Sequence, residues 1–276
     1  MDRAAVLVLA LASATTPAHA QSPPPAPLEP AAEPEPPLCT DRPTKSNAVC
    51  TVPPGSFQVE SDLFAWTRQD DRGTRADSFA YANPTLKLGL DRDTDVQLNI
   101  APYIETRLRT PDGAVDRIGG AGDLVVRLKR RLTGPASKLQ VGAIPFIKAP
   151  VARRGIGNRE WEGGLALPVQ YGLSQGFTLT LGPELDLLHD ADGRGKHLQY
   201  VGTVNIARSI TPTVAIAGEL WTAQNDDPAG HVEQYSADMA LTWLAAPKLQ
   251  LDAGANLALN RATPDAQLYF GLSTRF

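Results

Sequence analysis

Residues 266–276 read Ala-Gln-Leu-Tyr-Phe-Gly-Leu-Ser-Thr-Arg-Phe and end the sequence. In an extended strand, alternate side chains point to opposite faces. Leu268, Phe270 and Leu272 therefore share one face with Phe276, while Tyr269 and its polar neighbours lie on the other. This pattern predicts the closing strand of a membrane β-barrel, which must pair with an early strand because lipid tolerates no open sheet edge.

The same alternation recurs upstream, beginning at Ser56, in about a dozen segments of roughly ten residues. Typical examples place Leu86, Leu88 and Leu90 opposite Lys87, and Leu249 and Leu251 opposite Gln250. Alternation alone does not separate a barrel from a soluble β-sandwich, because both have a period of two. Segment length favours the barrel, since sandwich strands average ~5–6 residues and ~10 are needed to cross a bilayer.

The connections between the predicted strands alternate in length. Short ones occur at residues 91–94, 133–137, 172–176, 211–212 and 245–247, and longer polar ones at 69–76, 109–121, 151–159, 189–196 and 223–232. Short periplasmic turns and longer external loops are typical of outer-membrane barrels. Aromatic residues also cluster near predicted strand ends, as a membrane-interface girdle requires. Residues 55–276 are therefore predicted to form an all-β, antiparallel up-and-down transmembrane β-barrel of about 12 strands.

The first 38 residues have a different composition. Residues 1–20 combine one Arg, an apolar run from Ala4 to Ala12 and a final Ala-His-Ala, which predicts a cleaved signal peptide. The apolar run is too short for a membrane anchor. Residues 21–38 are rich in Pro, Ala and Glu and predict a disordered leader. A signal peptide followed by a transmembrane β-barrel predicts that the protein is located in the bacterial outer membrane.

Residues 39–54 contain the chain's two cysteines, Cys39 and Cys50. Export takes them to an oxidising compartment, so they are predicted to form a disulfide within a periplasmic N-terminal segment. A disulfide that closes a loop of ~12 residues contributes about 2–3 kcal/mol on the chain-entropy model. Metal binding would require further ligands nearby, and the surrounding sequence offers none.

The inward-facing positions predict a polar lumen with charges of both signs. The residues expected to line it and set its selectivity are Glu60, Asp62, Lys87, Glu105, Arg107, Arg127, Lys129, Lys148, Glu184, Asp186, Glu219 and Asp238. Such a lumen can conduct, or its charges can pair into a closed polar plug. Six aromatic residues are also expected to face inward, as a track for aromatic solutes or as packing: Phe79, Tyr81, Tyr103, Phe146, Trp221 and Tyr269.

Enzymatic and nucleic-acid-binding functions have little support in the sequence. The histidines after the signal peptide, His189, His197 and His231, fall in or beside external loops without a nucleophile motif, so an outer-membrane hydrolase is only an alternative. Residues 189–195 resemble a calcium loop but lack its later bidentate Glu. No cofactor or metal site is predicted, and the acidic balance, with a pI of about 5.6, disfavours a nucleic-acid partner.

Several motifs resemble a known family. They are Thr40-Asp41-Arg42-Pro43-Thr44, Val52-Pro53-Pro54-Gly55 and Gly122-Asp123-Leu124, supported by Glu162–Pro168 and Gly182–Leu188. Residues from about 40 to 276 resemble the bacterial outer-membrane transporter family associated with the meta pathway of phenol degradation. This resemblance implies a barrel for the passage of small organic compounds.

The combined interpretation is a passive channel for small, hydrophobic or aromatic solutes. Its expected partners are outer-membrane lipids, those solutes and the barrel assembly machinery, which would read Phe276 as an assembly signal. A non-conducting structural or surface-interaction barrel remains the main alternative.

Overall fold

The computed structural model describes residues 36–276, so the predicted signal peptide and all but the last three residues of the predicted leader lie outside the described chain. Sixteen β-strands follow one another: β1 (Phe57–Asp71), β2 (Thr74–Asp91), β3 (Thr94–Asn99), β4 (Tyr103–Arg109), β5 (Val115–Gly120), β6 (Leu124–Arg131), β7 (Leu139–Ala149), β8 (Glu162–Ala166), β9 (Val169–Gly172), β10 (Phe177–Leu181), β11 (Glu184–His189), β12 (Lys196–Ser209), β13 (Val214–Asp227), β14 (Gly230–Ala246), β15 (Leu249–Ala258) and β16 (Ala266–Arg275).

These strands close into one antiparallel barrel. β1 pairs with both β2 and β16, so the sheet has no free seam at its ends. Four strands are interrupted once along their length, because β3 and β4, β5 and β6, β8 and β9, and β10 and β11 each continue one another against shared neighbours. When each interrupted strand is counted once, the sixteen segments form a 12-stranded barrel. This confirms the predicted fold class.

The distribution of side chains is inside-out relative to a soluble protein. Large apolar residues such as Leu86, Leu220 and Leu268 alternate along the outer face, where Leu220 is 58% exposed. Polar residues such as Gln58 and Lys129 fill the interior, where Lys129 is 1% exposed. An apolar exterior around a polar interior is the arrangement that lipid requires. No helix within residues 36–276 is long and apolar enough to cross a membrane.

A row of irregularities changes which residues face inward in the outer half of the barrel. β1 has a bulge between Asp62 and Phe64, and on neighbouring β2 Ala82 has a positive φ of 60°. Asp62 pairs with Asn83 below the bulge, and Phe64 pairs with Tyr81 above it. Because each bulge adds one residue, the inward and outward positions exchange across it.

The connections confirm short turns at one end but alter the predicted loops at the other. Turns of two residues join β1 to β2 and β13 to β14, where longer loops were predicted at 69–76 and 223–232. Gln69 pairs with Ala76, and Asn225 pairs with Val232. Beyond the membrane neither face must be apolar, so hydrophobic alternation stops while the backbone hydrogen bonds continue. The predicted loop 109–121 likewise contains β5.

Phe276 lies at the periplasmic seam of the barrel. Its backbone N–H donates to the carbonyl of Phe57 at 2.8 Å, and the two rings are 6.2 Å apart. The Phe276 ring is 69% exposed, so it adds little burial to the finished barrel.

We expect deletion of Phe276 to lower the amount of folded protein in the outer membrane several-fold. The thermal stability of the barrel that does fold should change little, because even full burial of a Phe contributes only about 1.5–3 kcal/mol. Heat-modified mobility of membrane fractions measures both quantities. Phe57→Ala is the matched control, since it removes the same ring contact but keeps the terminal residue. Equal yields from the two variants would show that Phe276 is not an assembly signal.

Candidate functional site

The most distinctive feature of the interior is a loop inserted from the periplasmic side. Residues 39–50, the plug loop, enter the lumen and return, and a disulfide of 2.05 Å joins Cys39 to Cys50 at its base. The disulfide agrees with the sequence prediction. Residues 39–54 were predicted to lie in the periplasm. In the structure the plug loop lies inside the barrel, where its side chains and backbone groups contact the inner wall on several sides.

Arg42 attaches one side of the plug loop to the wall. Its guanidinium contacts Asp62 of β1 at 2.6 Å and Asp252 of β15 at 2.6 Å, and a second bond from Nε to Asp252 at 3.2 Å makes that contact bidentate. The Asp252 side chain is fully buried. A planar guanidinium is suited to a bidentate carboxylate, so Arg42 is held in a defined orientation.

The tip of the plug loop is bound to β13 and β14, the next two strands beyond β15. The backbone N–H groups of Lys45 and Ser46 donate to the Glu219 carboxylate of β13 at 2.8 and 3.0 Å. The Lys45 ammonium contacts Asp238 of β14 at 2.9 Å and lies 4.3 Å from the centre of the Trp221 ring. These contacts satisfy backbone donors that would otherwise be buried without partners.

Asp41 connects the plug loop to a third part of the wall. Its carboxylate contacts Lys87 of β2 at 2.5 Å and also pairs with Lys129 of β6. Burial acts to raise the pKa of Asp41, but the charges and hydrogen bonds of Lys129 and Lys87 outweigh it and hold that pKa well below its usual value. Asp41 is therefore ionised in the docked plug loop.

This pKa shift determines the pH range over which Asp41 stabilises docking. A depressed pKa stabilises the docked state above the undocked pKa of about 3.9, and that stabilisation is lost as pH falls toward the docked pKa. We therefore expect the difference in docking between wild-type protein and Asp41→Asn to stay constant from about pH 8 to pH 5 and to shrink only below about pH 4. Conductance of both proteins across this range is the measurement. A difference that already disappears near pH 6 would contradict the assignment.

Two glycines provide the space that the loop and its connection to β1 need. A Cβ at Gly271 of β16 would lie 2.3 Å from Nη2 of Arg42 and 2.2 Å from the Ser61 carbonyl. A Cβ at Gly89 of β2 would lie 2.0 Å from the Pro53 carbonyl. Both glycines allow the N-terminal segment to approach the wall more closely than any other residue would permit.

A gap remains between the plug loop and one side of the wall. It has a volume of about 240 Å³ and is bordered by residues of the loop from Thr40 to Ala48. The wall side carries hydroxyl and amide groups, from Gln170, Thr178, Thr180, Asn205, Thr242 and Gln250. This volume is below the ~300–1,000 Å³ of pockets that hold drug-sized ligands, so only small solutes fit beside the docked loop.

The twelve predicted lumen residues divide into three groups. Six contact the plug loop: Glu60, Asp62, Lys87, Lys129, Glu219 and Asp238. Four others are on the inner face of the β6, β7 and β11 wall: Arg127, Lys148, Glu184 and Asp186. Lys148 pairs there with Glu162 at 2.6 Å. The remaining two, Glu105 and Arg107, lie on the outer face.

The outward position of Glu105 and Arg107 follows from the bulges. Glu105 pairs across the sheet with Phe79, and Arg107 pairs with Asp77. Phe79 in turn pairs with Trp66, which is opposite the exposed, outward Leu268. Since directly opposite residues share a face, Glu105 and Arg107 point away from the lumen. Strict alternation misassigned them because it does not anticipate the added residues.

The same exchange divides the predicted aromatic track. Phe79, Tyr81 and Tyr103 face outward, and Tyr81 and Tyr103 lie 6.1 Å apart on the exterior. Phe146, Trp221 and Tyr269 face inward, where each has a cationic neighbour, Arg127, Lys45 and Arg42 respectively. A continuous aromatic track along the lumen is therefore absent among these six residues.

Sequence reasoning did not identify the plug loop or all of its contacts. Asp252 is absent from the predicted lumen residues. Asp95, which accepts a hydrogen bond from the Val52 N–H at 2.9 Å, is absent from them too. One signal was available, since Asp41, Arg42 and Lys45 concentrate charge between two cysteines. Which wall groups they meet is not encoded in any local pattern.

Comparison with known proteins identifies the family. Residues 40–276 match the family model described as the MetA-pathway of phenol degradation. The chain belongs to this family. The match begins at Thr40, so it covers the plug loop from its second residue onward together with the barrel. No curated protein sequence matches the chain significantly.

Solved structures show that this phenol-degradation family member shares its fold with other barrels. An outer-membrane channel from Pseudomonas putida F1 is similar with a TM-score of 0.68 and 14% identity, over 84% of this chain and 100% of that one. The β-domain of the Bordetella autotransporter BrkA is similar with a TM-score of 0.52 and 12% identity, over 81% of this chain and 100% of the other. The family member is a bacterial outer-membrane β-barrel.

The histidines of this family member lie near the external end of the barrel. His197 contacts Asp190 at 2.9 Å, and His231 contacts Asp226 at 2.7 Å. His189 is 3.4 Å from Glu160. Within residues 36–276, every histidine has a carboxylate partner and none is hydrogen-bonded to a serine or cysteine, so none of these histidines is placed to act as the base of a serine or cysteine nucleophile.

Proposed function

We propose that the protein is a passive outer-membrane channel for small solutes, including hydrophobic or aromatic ones, and that the plug loop controls its width. The observation that carries this proposal is the polar lumen with its narrow gap of about 240 Å³ beside the loop. The loop is attached to the wall by hydrogen bonds and ion pairs, which can be exchanged for contacts with water. A lumen of this kind conducts solutes when the loop leaves the wall.

The proposed solute class is supported by the family match and by a structural similarity. The family is described by its association with phenol degradation, and a structurally similar protein is an outer-membrane channel. Selectivity is proposed to depend on the inward groups that do not contact the plug loop, Arg127, Lys148, Glu184 and Asp186. A non-conducting barrel is the second candidate, because the docked loop is bound to six strands of the wall.

Planar-bilayer recording of the purified protein tests the channel. We expect small single-channel currents from the wild-type protein and larger ones from variants with a weakened plug loop. Heat-modified mobility shows whether the barrel is folded. If the folded wild-type protein and the folded variants all carry no current, the non-conducting alternative is favoured. Ester or lipid cleavage by the same preparation would instead favour a hydrolase.

The disulfide should keep the plug loop docked. It closes a loop with a sequence separation of 11 residues, and such a closure reduces the entropy of the free loop by an amount worth about 3 kcal/mol. We therefore expect Cys39→Ser with Cys50→Ser, or treatment with dithiothreitol, to increase the frequency of channel opening. Dithiothreitol applied to the double variant is the control and should have no effect. Unchanged gating after verified reduction would show that the loop docks without the disulfide.

A further inference from the structure

The outer face of the barrel carries a group of arginines at its external end. Arg68 of β1, Arg75 of β2, Arg107 and Arg109 of β4 and Arg117 of β5, the rim arginines, all point outward. Arg68 is two residues beyond Trp66, which shares a face with Phe79 and with the exposed Leu268. The cluster therefore continues the outer surface above a band of aromatic rings.

The height of this cluster places it at the lipid headgroups. Phe57 and Phe276 mark the periplasmic interface. Trp66 follows Phe57 by nine residues along β1, which matches the ~9–11 residues that a tilted strand needs to cross a bilayer. Amphipathic aromatic residues such as Trp66, Tyr81 and Tyr103 prefer the membrane interface. The rim arginines lie beyond that level, where the outer leaflet exposes its charged groups.

The arginines face one another across the strands. Arg75 is directly opposite Arg109, and Arg107 is directly opposite Arg117. Like charges in directly opposite positions destabilise a sheet. Three rim arginines have a carboxylate partner, since Arg68 contacts Asp77 at 2.9 Å, Arg75 contacts Asp70 at 3.3 Å and Arg107 pairs with Glu105.

Arg109 and Arg117 are different from the other three. Both are exposed, and neither forms an ion pair or hydrogen bond with any residue of the chain from 36 to 276. Each lies beside a second arginine, so the local charge is uncompensated. An external anion would relieve this repulsion, and guanidinium groups bind phosphate bidentately.

A groove extends from the arginines toward the membrane interior. It has a volume of about 730 Å³ and is lined at its charged end by Arg68, Asp77 and Arg107 and at its apolar end by Phe64, Leu268 and Phe270. The Arg107 guanidinium lies 4.6 Å from the centre of the Phe79 ring, and that of Arg68 lies 4.7 Å from the Trp66 ring. An amphipathic molecule with an anionic head and an apolar chain complements both ends.

We propose that this face is a binding site for a phosphorylated lipid of the outer leaflet. Its phosphate groups bind Arg109 and Arg117 and are assisted by Arg107, while an acyl chain occupies the groove beside Phe64 and Phe270. The site is on the outside of the barrel, so it is separate from the solute pathway. It also explains why charged residues occupy a surface that alternation assigned to the lumen.

The test compares lipid binding by the folded barrel and by Arg109→Gln with Arg117→Gln. Neither substitution removes a contact within residues 36–276. The probes are phosphatidylethanolamine vesicles containing diphosphorylated lipid A or the same lipid A after dephosphorylation, and inorganic pyrophosphate without lipid. Bound lipid per barrel and the temperature of heat modification are measured. Arg92→Gln with Lys138→Gln removes two exposed charges near the periplasmic end and is the matched control.

We expect diphosphorylated lipid A to raise the transition temperature of the wild-type and control proteins. The double variant should bind it roughly ten- to a hundredfold more weakly, because it loses both charge-assisted contacts to the phosphate groups. The proposal would be overturned if the wild-type protein bound dephosphorylated lipid A as tightly as the diphosphorylated form. It would also be overturned if the double variant bound diphosphorylated lipid A as tightly as the wild-type protein. An equal shift with pyrophosphate alone would identify a soluble anion as the ligand and would overturn the lipid assignment.

Discussion

Asp41→Asn is expected to release the plug loop and increase conductance. The substitution leaves Lys129 buried, at 1% exposure of its side chain, without the carboxylate that pairs with it. Removing one partner of a buried ion pair costs about 3–5 kcal/mol. Every 1.4 kcal/mol is a factor of ten, so the ratio of docked to undocked loop should fall by roughly two to three and a half orders of magnitude. Single-channel recording should show larger currents with frequent transitions.

Two further variants make this prediction specific. Asp192→Asn removes an exposed loop carboxylate that accepts only a neighbouring backbone N–H, and it should behave as wild type. Asp41→Asn combined with Lys129→Gln removes both charges and should restore part of the docking, because no buried charge then remains unpaired. Wild-type currents from Asp41→Asn alone would show that the ion pair with Lys129 does not hold the loop.

The second large effect expected is a change of ion selectivity on neutralising Arg42 and Lys45. Five wall carboxylates contact the plug loop, namely Glu60, Asp62, Glu219, Asp238 and Asp252, against two wall lysines, Lys87 and Lys129. Arg42 and Lys45 compensate part of this negative charge. Arg42→Gln with Lys45→Gln should therefore leave an acidic ring in a wider pore, and rings of like charge set pore selectivity.

The reversal potential across a potassium chloride gradient measures this effect. We expect a shift toward cations by several-fold in permeability ratio, larger at about 0.01 M than at about 1 M salt because screening shortens the range of the charges. Arg72→Gln with Lys138→Gln neutralises two exposed turn residues and should leave the potential unchanged. If the reversal potential of the Arg42 and Lys45 variant stayed unchanged, or shifted in the direction of greater anion permeability, the role of the acidic wall would be contradicted.

Local pattern predicted some residues correctly and failed at others for identifiable reasons. Lys87 and Glu219 were placed inward because each lies in a regular stretch of alternation, and the structure agrees. Glu105 lies above the bulges, where one added residue in a strand inverts every later position. A bulge produces no clear hydrophobic signature, so alternation could not reveal it. The hairpin at residues 69–76 was missed because its paired strands have no lipid face.

The sequence alone determined the barrel, its twelve strands and the disulfide, because strand alternation and cysteine spacing are local properties of the chain. Only the tertiary structure decided that residues 39–50 enter the lumen. Arg42 and Asp252 are 210 positions apart, and their contact exists only once closure brings β15 beside the N-terminal segment. The interior is polar along its whole length, so many placements of the loop satisfy its composition. The docked placement is selected by simultaneous pairing of Asp41, Arg42 and Lys45 with three separate parts of the wall.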